Sequence, residues 1–78
     1  MPRFFFDIHD SGVTRDDEGQ ELPDIEAARR LAMSSLPQIA ADEIPMDSDR
    51  RHFVVLVRDG NGTPVYTATL SFAGLVLT

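Results

Sequence analysis

Only one stretch of this chain carries a helical pattern, and it lies between two extended regions. It opens on an acidic turn, Asp16-Asp17-Glu18-Gly19-Gln20-Glu21-Leu22-Pro23, and continues as Asp24-Ile25-Glu26-Ala27-Ala28-Arg29-Arg30. Asp24 suits an N-cap, because its carboxylate can accept from the first free N–H groups. With Glu26 it also complements the positive end of the helix dipole. Helical phasing places Ile25, Ala28, Ala32, Leu36 and Ile39 on one narrow stripe, flanked by Leu31 and Met33. Glu26 and Arg30 stand four apart in the better orientation, a pairing that stabilises by about 0.3–0.5 kcal/mol. Pro37 removes one backbone bond and crowds the preceding turn, where Ser34 and Ser35 offer a second cap. The apolar stripe keeps its phase across it, which predicts one kinked helix from 25 to about 43. A single helix covers one face of a small sheet and leaves the other bare.

The flanking regions supply that sheet. From Arg3 to His9, Phe4, Phe6 and Ile8 alternate with Arg3, Phe5, Asp7 and His9, the period of a half-buried strand. Asp10-Ser11-Gly12 has turn chemistry, and Val13-Thr14-Arg15 is placed as a short returning edge strand. Ile44 to Arg51 reads as a loop, with Pro45 and Asp47-Ser48-Asp49. His52 to Arg58 is a strand, Asp59-Gly60-Asn61-Gly62 a hairpin turn, and Pro64 to Phe72 the returning strand. Pairing across that hairpin puts Phe53, Val55, Val57, Tyr66, Ala68 and Leu70 on one face. Val54, Leu56, Val65, Thr67 and Thr69 fall on the other.

Composition bounds the function classes. The 78 residues allow one domain, taken as 1–78, with a modest core and no cysteine to staple it. The net charge of −6 comes from 13 acids against seven arginines, without a lysine. Eight of the acids lie between residues 7 and 26 (Asp7, Asp10, Asp16, Asp17, Glu18, Glu21, Asp24, Glu26), with Arg15 as their offset. Such a surface repels phosphate and anionic lipid, and Arg50-Arg51 is too small a patch to reverse that, so neither nucleic acid nor membrane is expected as a partner. The longest apolar run, Leu70 to Leu77, falls far short of the ~20 residues that span a bilayer. The opening Met-Pro-Arg leads directly into a strand pattern without a signal peptide, and a cytoplasmic location is expected.

Three groups of residues invite a chemical reading. The acidic loop 16–21 lacks the carboxylate alternation and closing Glu of an EF-hand, and reads as a solvated turn orienting the helix entry. Asp7, His9 and His52 share the face away from the helix, and two His with one carboxylate would suit zinc or iron. No local spacing supports that site, and half-exposed strand histidines are the simpler reading. Ser11, Ser34, Ser35, Ser48 and Ser71 lie in no nucleophile-elbow context, and Gly60-Asn61-Gly62 is no phosphate loop. No acid, base and nucleophile constellation appears, so an enzyme is not expected, nor is a cofactor. Phe5, Val54, Leu56 and Val65 remain as apolar residues on the bare face, with Thr67 beside them. Contiguous apolar patches mark interfaces.

The opening Met-Pro-Arg-Phe-Phe-Phe-Asp-Ile-His-Asp, with Asp-Asp-Glu-Gly-Gln-Glu-Leu-Pro-Asp-Ile-Glu-Ala-Ala-Arg, resembles a family of small bacterial proteins common in rhizobia and other alphaproteobacteria. That family is catalogued as a domain of unknown function. The resemblance covers residues 2–32 closely and the hairpin in pattern; Pro37 departs from it. It implies a cytoplasmic single-domain protein, and it brings no catalytic residue.

The sequence therefore predicts an α+β fold, β-β-α-β-β. A mostly antiparallel sheet of three or four strands, ordered second-first-third-fourth, carries one helix on one face. The expected role is a non-enzymatic interaction or regulatory module acting as a homodimer through Phe5, Val54, Leu56, Val65 and Thr67. The alternative is a small-molecule or divalent-metal binder using the acidic loop or Asp7, His9 and His52.

Overall fold

The computed structural model describes residues 2–10, 12–46 and 49–78. Ser11, Asp47 and Ser48, which the sequence places in turns, lie outside the described residues. The elements are β1 (Arg3–His9), β2 (Val13–Thr14), β3 (Gln20–Glu21), α1 (Ile25–Glu43), a 3-10 turn (Ile44–Met46), β4 (Arg50–Arg58) and β5 (Pro64–Ala73). All strand pairings are antiparallel, in the order β2-β1-β4-β5, with β3 also pairing β1. The predicted strand order holds, and the helix packs on the sheet as expected. Two details differ. A third short strand, β3, docks on β1 through Arg3↔Glu21 and Phe4↔Gln20. Within the predicted loop 44–51, Ile44–Met46 form a helical turn, and Arg50 and Arg51 already belong to β4.

The core follows from the alternation. Phe53, Val55 and Val57 of β4 are fully buried beneath Ala28, Ala32, Leu36 and Ala40 of α1. Phe4 completes this layer, with Phe6 and Ile8 partly buried against it. Three of the four buried helix residues are alanine, so the helix axis can lie close to the sheet. Burying Phe53, Val55 and Val57 contributes roughly 1.5–3 kcal/mol each. Ile25, expected on the stripe, is half exposed, and Ala40 takes a place at the stripe's far end instead. Residues four apart drift around a helix with 3.6 residues per turn, so the contact line turns away from Ile25.

The helix begins as predicted. Asp24 is extended (φ −162°, ψ 177°) and its Oδ1 accepts the Ala27 N–H at 2.8 Å. Glu26 receives both Arg29 (2.8 Å) and Arg30 (3.3 Å). The helix continues through Pro37 to Glu43 without a second segment. Ser34 and Ser35 do not re-cap it; both hydroxyls donate to the Leu31 carbonyl, at 3.0 and 2.7 Å. At its end, Arg51 from β4 supplies the cation that the last turn lacks, bonding Glu43 at 2.9 Å and lying 4.9 Å from the Phe53 ring centre. Arg51 is thus buried in the fold, not displayed as part of a basic patch.

The β4–β5 hairpin closes with Asp59, whose carboxylate accepts the Asn61 and Thr63 N–H groups at 2.9 and 3.0 Å. A register shift between Val57↔Tyr66 and Arg58↔Pro64 leaves Val65 as an extra, unpaired residue. The bulge keeps Tyr66, Ala68 and Leu70 on the core side. Val65, placed by strict alternation on the bare face, packs instead against the core.

Candidate interaction surface

The face away from α1 is organised by a buried ion pair. Strand register sets Asp7 opposite Leu56 and Phe5 opposite Arg58, and the Arg58 guanidinium reaches back to Asp7. Arg58 Nε donates to Asp7 Oδ2 at 2.7 Å and its second nitrogen to Oδ1 at 3.0 Å, a bidentate pair. The same nitrogen donates to the Asp16 carbonyl at 3.0 Å, and the guanidinium lies 5.1 Å from the Phe5 ring centre. Asp7 is 5% exposed. The Arg58 bond, with help from the Asp16 N–H, holds its carboxyl below the usual range against the opposing effect of burial. Arg58 is correspondingly pushed up by Asp7.

The acidic loop completes the same knot. β2 and β3 pair the two ends of β1 but leave its middle open. Asp16 fills that gap: its Oδ2 accepts the Phe6 N–H at 3.0 Å, and Oδ1 accepts those of Glu18 (3.1 Å) and Gly19 (3.0 Å). Burial pushes the Asp16 carboxyl up, but these three backbone donors outweigh it and the net shift is downward. Gly19 makes the approach possible. Its φ is +70°, and a Cβ there would stand 2.8 Å from the Phe4 carbonyl and 2.9 Å from the Phe5 ring. The loop is therefore a seal on a sheet edge, where the sequence suggested only a solvated turn.

The sequence-predicted site residues lie in and around this knot. Asp7, His9 and His52 do share a face, but both Asp7 oxygens already have donors. His9 lies opposite Val54, and His52 Nδ1 is 2.9 Å from the Ser71 hydroxyl. Among the described residues no three His, Asp or Glu side chains gather as a metal-binding group. Among the same residues every buried side-chain nitrogen and oxygen has a partner. Of the predicted interface, Phe5 sits between Arg58 and Gly19, and Val65 belongs to the core side. Val54 and Leu56 remain half-buried on the bare face, and Thr67 turns its hydroxyl to the Val55 carbonyl at 3.0 Å.

A further group of exposed apolar side chains lies in the run that the sequence set aside as too short to span a bilayer. Phe72, Leu75, Val76 and Leu77 are 38, 80, 76 and 87% exposed, along β5 and the segment that continues it. An open apolar groove lies between Met33, Leu36 and Pro37 of α1 and Ala68, Thr69 and Leu70 of β5. A compositional signal was present: no Asp, Glu, Lys or Arg occurs from Gly60 to Thr78, in a chain of net charge −6. Among the described residues no helix is long and apolar enough to cross a membrane.

Comparison with known proteins adds the family. Residues 3–71 match the family described as Domain of unknown function (DUF6894). The chain belongs to this family. The match to DUF6894 includes β1, the sealing loop, α1 and the hairpin, so the Asp7–Arg58–Asp16 knot lies wholly inside it. Leu75, Val76 and Leu77 lie beyond it. No curated protein and no solved structure matches the chain.

Proposed function

We propose that this DUF6894 domain is a non-enzymatic interaction module that acts as a homodimer. The observation that carries this reading is the charge-free run from Gly60 to Thr78, which holds Phe72, Leu75, Val76 and Leu77 exposed. Single exposed apolar residues are ordinary on a protein surface, whereas a contiguous set marks an interface. Its polar counterpart supports the same reading. The knot of Asp7, Asp16 and Arg58 spends its donors and acceptors on the fold itself. Two contact surfaces are available to a second copy: the bare face with Val54 and Leu56, and the β5 side with its groove. Sedimentation equilibrium of the purified chain tests the proposal. A mass of two chains is the expected result, and a single-chain mass at high micromolar concentration would refute it.

A further inference from the structure

The two edges of the sheet are treated in opposite ways. The β1 edge is covered by two-residue strands, plugged by the Asp16 carboxylate and ringed by Asp17, Glu18 and Glu21. Short strands, charges and irregularities of this kind keep foreign strands away. β5 is ten residues long and carries such devices only at its start, in Pro64 and the Val65 bulge. From Tyr66 onward its outer edge is regular and uncharged. The Gly74 N–H donates to the Asp49 carbonyl at 2.7 Å, so the backbone groups of even-numbered residues turn toward β4. Those of Thr67, Thr69, Ser71 and Ala73 therefore turn outward.

We propose that this edge pairs with the same edge of a second copy, antiparallel about a twofold axis, and that Leu75–Leu77 of each copy lies along β5 of the other. The inference rests on the homodimer reading above and names its contact. The occupant is a second copy for two reasons. Two chains of net charge −6 repel wherever their acids face each other, and the run from Gly60 to Thr78 is where they meet without charge. The segment after β5 is also apolar and exposed, and it follows the last described β4–β5 pair, Arg50↔Ala73.

Symmetry then fixes the faces. Antiparallel edges related by a twofold normal to the sheet keep both helices on one side, and opposed residues must share a face. Centring the axis on Ala73 sets Leu75 against Ser71, Val76 against Leu70 and Leu77 against Thr69. Val76 then reaches the mouth of the groove between Met33, Leu36, Pro37 and Leu70. The outward backbone groups of Ala73, Ser71 and Thr69 meet those of Ala73, Leu75 and Leu77, as paired strands require.

Three variants of the full chain, compared with wild type by sedimentation velocity across a concentration series, test this. Val76→Asp alters a side chain 76% exposed and outside β5, so folding is left alone. Ala73→Pro removes an outward N–H that the β4 ladder does not use. Leu56→Glu places a charge on the bare face instead. The inference expects at least a tenfold rise in the dimer dissociation constant for Val76→Asp and for Ala73→Pro, and no change for Leu56→Glu. Dimers that survive Val76→Asp but dissociate with Leu56→Glu would overturn the edge contact and leave the homodimer standing. A wild type of single-chain mass would overturn both.

Discussion

Asp7 and Asp16 hold one another by crossed bonds. Asp7 accepts the backbone N–H of Asp16 at 3.0 Å, and Asp16 accepts the N–H of Phe6, the neighbour of Asp7, also at 3.0 Å. Two carboxylates so close would repel, and the Arg58 guanidinium, bonded to one side chain and to the carbonyl of the other residue, offsets that. Strand, loop and hairpin are joined at this point.

Acid should undo the crossing. Both carboxyls are lowered in the folded protein from an ordinary value of 3.8. A lowered folded value means that the stabilisation is complete above the unfolded value and is lost as pH falls through the folded one. Stability measured by urea denaturation should therefore decline below pH 3.8. Asp7→Asn should flatten that decline, and Asp7→Ala should cost roughly 3 kcal/mol at neutral pH by stranding the arginine. An unaltered acid limb in Asp7→Asn would show that other carboxylates control it.

Gly19 and Gly62 both have positive φ, at 70° and 81°, but only Gly19 is crowded. Gly62→Ala should cost about 1 kcal/mol, from backbone conformation alone. Gly19→Ala adds a collision with the Phe4 carbonyl and should cost about 3 kcal/mol. Equal shifts in denaturation midpoint would mean that the loop moves aside freely.

Asp24→Ala removes the acceptor for the Ala27 N–H and should destabilise by about 1 kcal/mol. Asp24→Ser should recover most of that loss. The comparison needs only thermal melts followed by circular dichroism.

Pro37 sits exposed within a helix that runs on past it for six residues, to Glu43. Pro37→Ala restores a donor to the Met33 carbonyl and should stabilise by up to about 3 kcal/mol. A fall in the melting temperature would show that the proline ring matters more to packing over β5 than to the helix backbone.

The parts legible in the sequence were those with local signals. Alternation in Arg3–His9 and His52–Arg58, the Asp24 cap and the Asp59–Gly62 turn each lie within a few residues of what they specify. The parts missed depend on distance or on backbone detail. Asp7 and Arg58 are 51 positions apart, and a polar residue at an alternating position looks like a solvent-facing one. Their shared face follows once β1 is set beside β4, so register was the available clue. Val65 escaped because a bulge breaks alternation without any residue type announcing it. β3 escaped because Gln20-Glu21 has no strand propensity and pairs only because the Gly19 turn delivers it.

The seal that Asp16 places on β1 would also decide how far an assembly built through β5 could go. A sheet that accepts neighbours on both sides can lengthen without limit, and that is the route to a fibre. With one edge blocked, each sheet would offer a single free edge. Two chains joined through β5 would expose only blocked sides, so growth would stop at two. By that logic the acidic loop, remote from the proposed contact, would act as a chain terminator. Opening it, as Gly19→Ala or acid would, should convert a finite particle into one able to polymerise.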